Sequence, residues 1–372
     1  LTEDSASFVA SLAESIGEAD PDTRWQVVAK LADVPGADSE KLLVSLLGDL
    51  DYRVREKAVA VLSRRFTPSV ARACLEGMAD DENAGKRGAT VSLLCKGGVL
   101  GTETLVEALS HGSPDVRLAA ALAIPAEGSG PNAVMALERA LLSEVDANVR
   151  AGILLALGRT HRREAIRPLL MVLEQNGPWH QIHALEAIGE IGDPGVASRL
   201  IPLFDVPALR RAALRTLSRL ESPAPAEDLA FRAARGETDS ELIAALRHCV
   251  AAAPRATGQR VKEIWTAAPA ILTEVLSKPN SNLEQKSDAA HLLALMDIDS
   301  AAFAIVSAGR ASDGFGALYD LPDERINDIL SAALQEEDPE AAFALVDRLK
   351  GTGNEMLLVP LLVHPSPVVQ AT

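Results

Sequence analysis

His180 and His183 stand three residues apart, and Glu186 follows three further on. On a helix this spacing turns all three toward one face, as a metal site or a base with its orienting carboxylate would require. No further ligand follows at a recognised spacing, so the set reads as polar helix surface, and neither a metal nor a cofactor is expected. Trp179 is either a binding aromatic or a side chain packed under the Gly177-Pro178 turn. The sequence holds no G-x-x-x-x-G-K-S/T phosphate loop, no G-x-S-x-G elbow and no H-E-x-x-H zinc pair. Lys96-Gly97-Gly98 and Gly314-Phe315-Gly316 are glycine turns without a phosphate-binding continuation. The His and Cys residues form no nucleophile–base pair, so no catalytic residue is assigned and a binding role is expected over an enzymatic one.

Arginine is the other residue type with chemistry to offer. Arg159, Arg162, Arg163 and Arg167 surround one joint, and Arg210, Arg211, Arg215 and Arg219 crowd one predicted helix. Between 150 and 219 ten Arg face six Asp and Glu, whereas between 297 and 347 two Arg face twelve. The basic stretch either meets an acidic patch on a partner or is solvated helix surface. The whole chain carries a formal charge of −16, which makes nucleic acid an unlikely ligand, because phosphate neutralisation dominates that affinity.

The elements that position these residues are helices. Hydrophobic residues make up 48% of the 372, yet aromatics only 3%, and Ala and Leu dominate. Both favour helix, and Ala lets helices approach closely. Cys74, Cys95 and Cys249 form no C-x-x-C pair, which fits buried thiols in a reducing, cytoplasmic setting. No apolar run is long enough to span a bilayer. The chain opens on Leu1 without a signal-peptide pattern, and 364–372 reads as the start of a repeat lacking its second helix. A piece of a longer chain is therefore expected.

A repeat organises the helices. Asp51-Tyr52-Arg53-Val54-Arg55 leads into Ala58, Val59 and Leu62. Pro114-Asp115-Val116-Arg117 leads into Ala120, Ala121 and Ile124, and Asp146-Ala147-Asn148-Val149-Arg150 into Ile153, Leu154 and Leu157. Weaker copies give markers at Arg24, Arg87, Gln181 and Arg210, so successive markers lie 29 to 33 residues apart. That period accommodates two short helices and two turns. First helices are expected over 41–47, 105–109, 133–142, 166–173 and 196–204, with Gly48, Gly112, Gly158, Gly177, Gly189 and Gly192 at the joints. After 220 the register weakens: 237–253 reads as another second helix, 258–296 as a longer pair split at 278–282, and 338–349 restores the pattern.

The D-x-x-V-R-x-x-A sets and the Ile188-Gly189-Glu190-Ile191-Gly192-Asp193 segment resemble bacterial HEAT repeats of the PBS-lyase type. The resemblance implies an all-α, right-handed α-solenoid of about ten to eleven two-helix repeats, regular over 1–220 and degenerate over 221–372. It also implies that the marker Arg joins a hydrogen-bonded ladder with the preceding Asp. Asp51 and Asp146 sit where helix N-caps belong, within reach of Arg55 and Arg150.

In such an array the second helices offer an extended binding face. Counting from the marker, positions +3, +4 and +7 are apolar and form the core, while +1 and +5 face outward. The middle of that outward row is apolar, with Leu118, Leu122, Leu155 and Ile182, and His183, Glu186, Arg211 and Arg215 flank it. These eight residues are the expected partner-binding set, either exposed as an interaction stripe or buried by curvature between repeats. The expected function is a protein-binding scaffold or regulatory module with a protein partner. A chromophore-lyase-type enzyme and a DNA-binding HEAT-like glycosylase are the alternatives that the resemblance allows.

Overall fold

The computed structural model describes residues 2–296, apart from Glu18, Asp81, 125–130, Asn176 and 279–280. The acidic stretch 297–347, the Gly314 turn, the repeat expected over 338–349 and the segment 364–372 lie outside the described residues. The chain divides into two compact units, Leu1–Ile191 and Gly192–Thr372. The described residues form nineteen α-helices and short 3-10 turns, with no strand among them.

Unit 1 is a run of helix pairs: α1 (Thr2–Glu14) with α2 (Pro21–Leu31), α3 (Ala37–Ser45) with α4 (Tyr52–Ser63), α5 (Pro68–Met78) with α6 (Ala84–Lys96), α7 (Gly98–Ala108) with α8 (Pro114–Ala123), α9 (Pro131–Ser143) with α10 (Ala147–Arg159), and α11 (Ile166–Leu173) with α12 (Pro178–Ile191). Each even-numbered helix stacks on the next, from α2 to α12, and the odd-numbered helices from α1 to α9 stack in a parallel row. Side-chain caps start most second helices. Asp20 accepts from the Asp22 and Thr23 amides, Asp51 from Arg53, Asn83 from Lys86, and Asp146 from Asn148 and Val149. Each cap fills one or two of the orphan donors that a helix start leaves.

Unit 2 holds α13 (Ala197–Leu200) framed by 3-10 turns, α14 (Pro207–Leu217), α15 (Ala226–Ala234), α16 (Ser240–Ala252), α17 (Pro254–Ile264), α18 (Ala268–Ser277) and α19 (Leu283–Leu295). Here α14 stacks on α16, and α16 on α19. The expected pair over 258–296 is instead three helices. At Trp265 the backbone leaves the helix (φ −107, ψ 71), the side chain is fully buried, and Pro269 opens α18 two residues into its first turn. The register weakens after 220 because Ile243 and Lys286 stand at the marker positions of α16 and α19, where most earlier repeats carry Arg.

The core follows the marker rule. Positions +3, +4 and +7 are buried in every second helix from α2 to α14 except at Val91, which is half-buried. Small residues set the spacing. Gly158 and Gly189, expected at joints, lie inside α10 and α12. A Cβ on Gly158 would sit 2.8 Å from Ala187 Cα and 2.9 Å from its Cβ, so the glycine lets α10 and α12 touch backbone to backbone.

The marker arginines fasten the repeats, by a route that differs from the expected one. The cap Asp51 is occupied by the Arg53 amide (2.8 Å) and guanidinium (3.0 Å), and Asp146 by two helix amides. Arg55 bonds the carbonyls of Asp49 (2.7 Å) and Leu50 (2.9 Å) instead. Its position one helical turn past the cap carries the side chain over the preceding turn, whose carbonyls lack partners. The same backward bond joins Arg24 to Ala19 O, Arg87 to Asp80 O, Arg117 to His111 O and Gly112 O, Arg150 to Leu141 O, Gln181 to Leu173 O and Gln175 O, and Arg210 to Phe204 O.

Several markers also reach forward to the next turn. Arg24 forks onto Asp49 at 2.7 and 2.9 Å, Arg117 onto Glu144 at 2.7 and 2.8 Å, and Arg150 reaches Gln175 at 3.1 Å. Within unit 2, Arg210 reaches Glu237 and Asp239, each at 2.7 Å. Asp49, Glu144 and Glu237 all precede a helix cap by two residues. Asp49 and Glu144 also accept the amide of that cap residue, at 2.8 and 2.9 Å. Their side chains are only 5% and 4% exposed, which makes these bidentate, charge-assisted bonds hard for water to replace.

The Arg117 bond holds the Glu144 carboxyl down at about 2 against burial, which pushes the other way. Its unfolded value is near 4.5, so its stabilisation is complete above that pH and fades as pH falls toward about 2. Glu144→Gln is expected to lower unfolding free energy by roughly 2–3 kcal/mol at neutral pH, with the gap to the parent chain closing across that acid range. Urea unfolding at several pH values measures this, and a gap independent of pH would contradict it. Gly158→Ala is expected to cost about 1–3 kcal/mol by overpacking α10 against α12, with a matching fall in the unfolding midpoint.

Candidate functional site

The outward row of unit 1 is partly open. Leu122 on α8 is 37% exposed and Leu155 on α10 is 43% exposed, on two second helices that pack together. Leu118 and Ile182 are half-buried. Leu118 lies over α10 at Gly152, where an added Cβ would collide with its Cδ1. The row is therefore neither wholly exposed nor buried by curvature: its two leucines at +5 stand out and the residues at +1 fill the seams. At the other end of unit 1, Trp25 on α2 is 40% exposed, with the Lys57 ammonium 4.9 Å above its ring.

The His180, His183 and Glu186 set does not converge on one point. His180 turns its Nε2 toward Ala147 O, 3.3 Å away at the start of α10. His183 Nδ1 meets Glu186 Oε2 at 3.3 Å, and Trp179 packs edge-on against its ring at 4.9 Å. Trp179 itself is 62% exposed, so it stands on the surface and not under the turn. Among the described residues no group of three or more His, Cys, Asp and Glu gathers as a metal would need. Cys74 and Cys249 are buried, and burial pushes both thiols up to about 12, far from a usable thiolate.

Unit 2 carries an open groove of about 800 Å³ running across α14, α16 and α19. Arg211 and Arg215 line it from α14, Arg219 from the turn after that helix, Glu241, Arg247 and His248 from α16, and Glu284 and Asp288 from α19. Arg211 is 75% exposed along its side chain and is engaged by Glu241 at 2.8 Å. Arg215 and Arg219 are exposed, and among the described residues their side chains have no hydrogen-bond or ion-pair partner.

The groove's α16 and α19 residues were missed from sequence, although a signal for them existed. Every marker lies four residues after its helix cap. Applied to Asp239 and Asn282, the caps of α16 and α19, that offset makes Ile243 and Lys286 the markers and puts Ala244, His248, Ser287 and His291 in the outward row. Ala244, His248 and Ser287 do line the groove. Among the described residues no helix is long and apolar enough to cross a membrane.

Known proteins place the architecture. The sequence profile for HEAT repeats matches residues 9–95, 102–179 and 134–218. The comparison with curated proteins returned no match. Among solved structures the chain is similar to Kap95p, whose binding induces the switch loops of RanGDP to adopt the GTP-bound conformation. That likeness has a TM-score of 0.53 and 12% identity over 97% of this chain and 56% of that one. It is also similar to Kap121p, with a TM-score of 0.52 and 13% identity over 100% of this chain and 48% of that one. The chain thus spans about half the length of these two relatives. The CpcE–CpcF complex of phycocyanin lyase from Nostoc sp. PCC7120 matches with a TM-score of 0.38 and 20% identity over 62% of this chain and 92% of that one. With the profile covering more than half of its residues, and with stacked helix pairs bolted by marker arginines, the chain belongs to the HEAT-repeat family.

Proposed function

We propose that this chain is a non-catalytic scaffold that binds a protein partner along its second-helix row. The observation that carries this reading is the pair of exposed leucines, Leu122 and Leu155, on adjacent second helices. Leu118 and Ile182 extend the apolar surface to either side, and His183 and Glu186 give it a polar rim. Apolar centres with polar rims are the usual anatomy of a protein interface. Arg215 adds an unpaired cation to the same row position in unit 2. The three free thiols, two of them buried, support action in a reducing compartment such as the cytoplasm.

The test is affinity capture with the intact chain and with Leu122→Glu combined with Leu155→Glu. Both side chains are exposed, so helix content and unfolding midpoint are expected to stay unchanged. Proteins held by the parent chain are expected to drop at least tenfold in the variant. Equal recovery of the same proteins would end this reading.

A further inference from the structure

We infer that the groove of unit 2 is a binding site for an acidic peptide segment, which Arg215 of α14 and Arg219 of the turn that follows it grip from one side and Arg247 engages from the deeper α16 side. The inference rests on the second-helix row being the binding face, and it gives the unit 2 part of that row a ligand chemistry.

Arg211 and Arg215 lie one turn apart on the same face of α14, and Arg219, in the turn after the helix, lines the same groove. Glu241 neutralises Arg211, which leaves the other two as open cations with forks suited to carboxylates. Arg247 is less exposed, at 24% of its side chain, and is poorly satisfied. Its Nε is buried without any hydrogen-bond partner, its Nη1 meets His248 Nε2 at 3.0 Å, and Asp288 Oδ1 stands 3.6 Å away. That last distance is an ion pair and too long for a hydrogen bond. The Nε is closed to solvent, so an acceptor entering the groove meets Arg247 through the exposed quarter of its side chain, where Asp288 makes no hydrogen bond.

The neighbouring groups leave that role to a ligand. His248 accepts from Arg247 through Nε2, which requires a neutral ring, and burial followed by the Arg247 charge lowers its pKa in the same sense. Asp288 stands at 3.6 Å, outside hydrogen-bond range, so it leaves the Arg247 donors unfilled. The groove is also asymmetric, with open arginines on the α14 side and Glu284 and Asp288 on α19. A nucleic acid, charged along its whole backbone, would meet those two carboxylates. A peptide can turn acidic side chains to α14 and neutral or basic ones to α19. The groove's volume is on the scale of other ligand sites.

The test uses the full chain with fluorescein-labelled deca-glutamate, with deca-lysine and deca-thymidylate as comparison probes, followed by polarisation. Arg215→Glu with Arg219→Glu is the groove variant, and Leu122→Glu with Leu155→Glu is the unit 1 control. Deca-glutamate is expected to bind the parent chain and to weaken as salt rises from about 20 to about 200 mM. It is expected to lose at least tenfold in the groove variant, whose helix content is checked by circular dichroism, and to bind the unit 1 control unchanged. No binding at low salt, equal binding by the groove variant, or equal affinity for deca-lysine would each overturn the proposal. Tighter binding of deca-thymidylate, lost in the groove variant, would assign the groove to nucleic acid and overturn it as well. Loss of protein capture by the unit 1 control alongside intact deca-glutamate binding separates the two readings, since each can fail without the other.

Discussion

The joint between consecutive turns is the constraint that the repeat depends on. An array built from Ala and Leu has interfaces that are greasy and nearly featureless, so packing alone would let one helix pair slide against the next. Each turn also leaves helix-end carbonyls that must find donors. The marker Arg meets both needs, closing its own turn through carbonyls a few residues back and, at Arg24 and Arg117, forking onto a shielded acid of the following turn. Removing one member of such a shielded pair is costly because the other charge is left without a partner. The Arg row is therefore scaffold, and whatever the chain binds is read by other positions.

Because the joint uses one side of each second helix and the core uses another, the outward positions are free to vary in chemistry at constant geometry. The same row offers Leu122 and Leu155 in unit 1, and Arg215, Ala244, His248 and Ser287 in unit 2. An apolar surface and a charged groove arise from one backbone plan by substitution at two positions per repeat. Such separation of frame and face lets a repeat family serve unrelated partners.

Much of the frame is legible in the sequence, because it is written in local signals. A cap residue, an Arg four places on and apolar residues at fixed offsets all act within one helix, and the core rule held in every second helix to α14 with Val91 as the half-buried exception. What stayed hidden depends on what faces what across helices. The acid two residues before the cap looks like one more surface carboxylate until the preceding repeat's Arg lies on it. Gly158 resembles a turn residue because a glycine that separates helices and a glycine that lets them touch are the same letter. Trp265 gives no local warning that the helix ends there, and α16 carries Ile243 where the other repeats carry a polar marker, which kept His248 out of the row. For the candidate site, the identities of the exposed leucines were readable, whereas the engagement of Arg211 by Glu241 and the half-satisfied state of Arg247 were not.

The forward bonds of unit 1 are not evenly distributed. Arg24 and Arg117 hold buried acids ahead of them, while among the described residues Arg55 and Arg87 bond only backward, and Asp80 is taken by Lys86 at 2.9 Å. Seen mechanically, unit 1 is a spring of unequal stiffness. Links riveted by a bidentate charge pair resist shear, whereas links that are merely packed yield first when load is applied. By that measure the link between the α4 and α6 repeats, tied by a neutral bond from Asn83 Nδ2 to Gly48 O at 2.9 Å, gives before the α8–α10 link, where Arg117 grips Glu144.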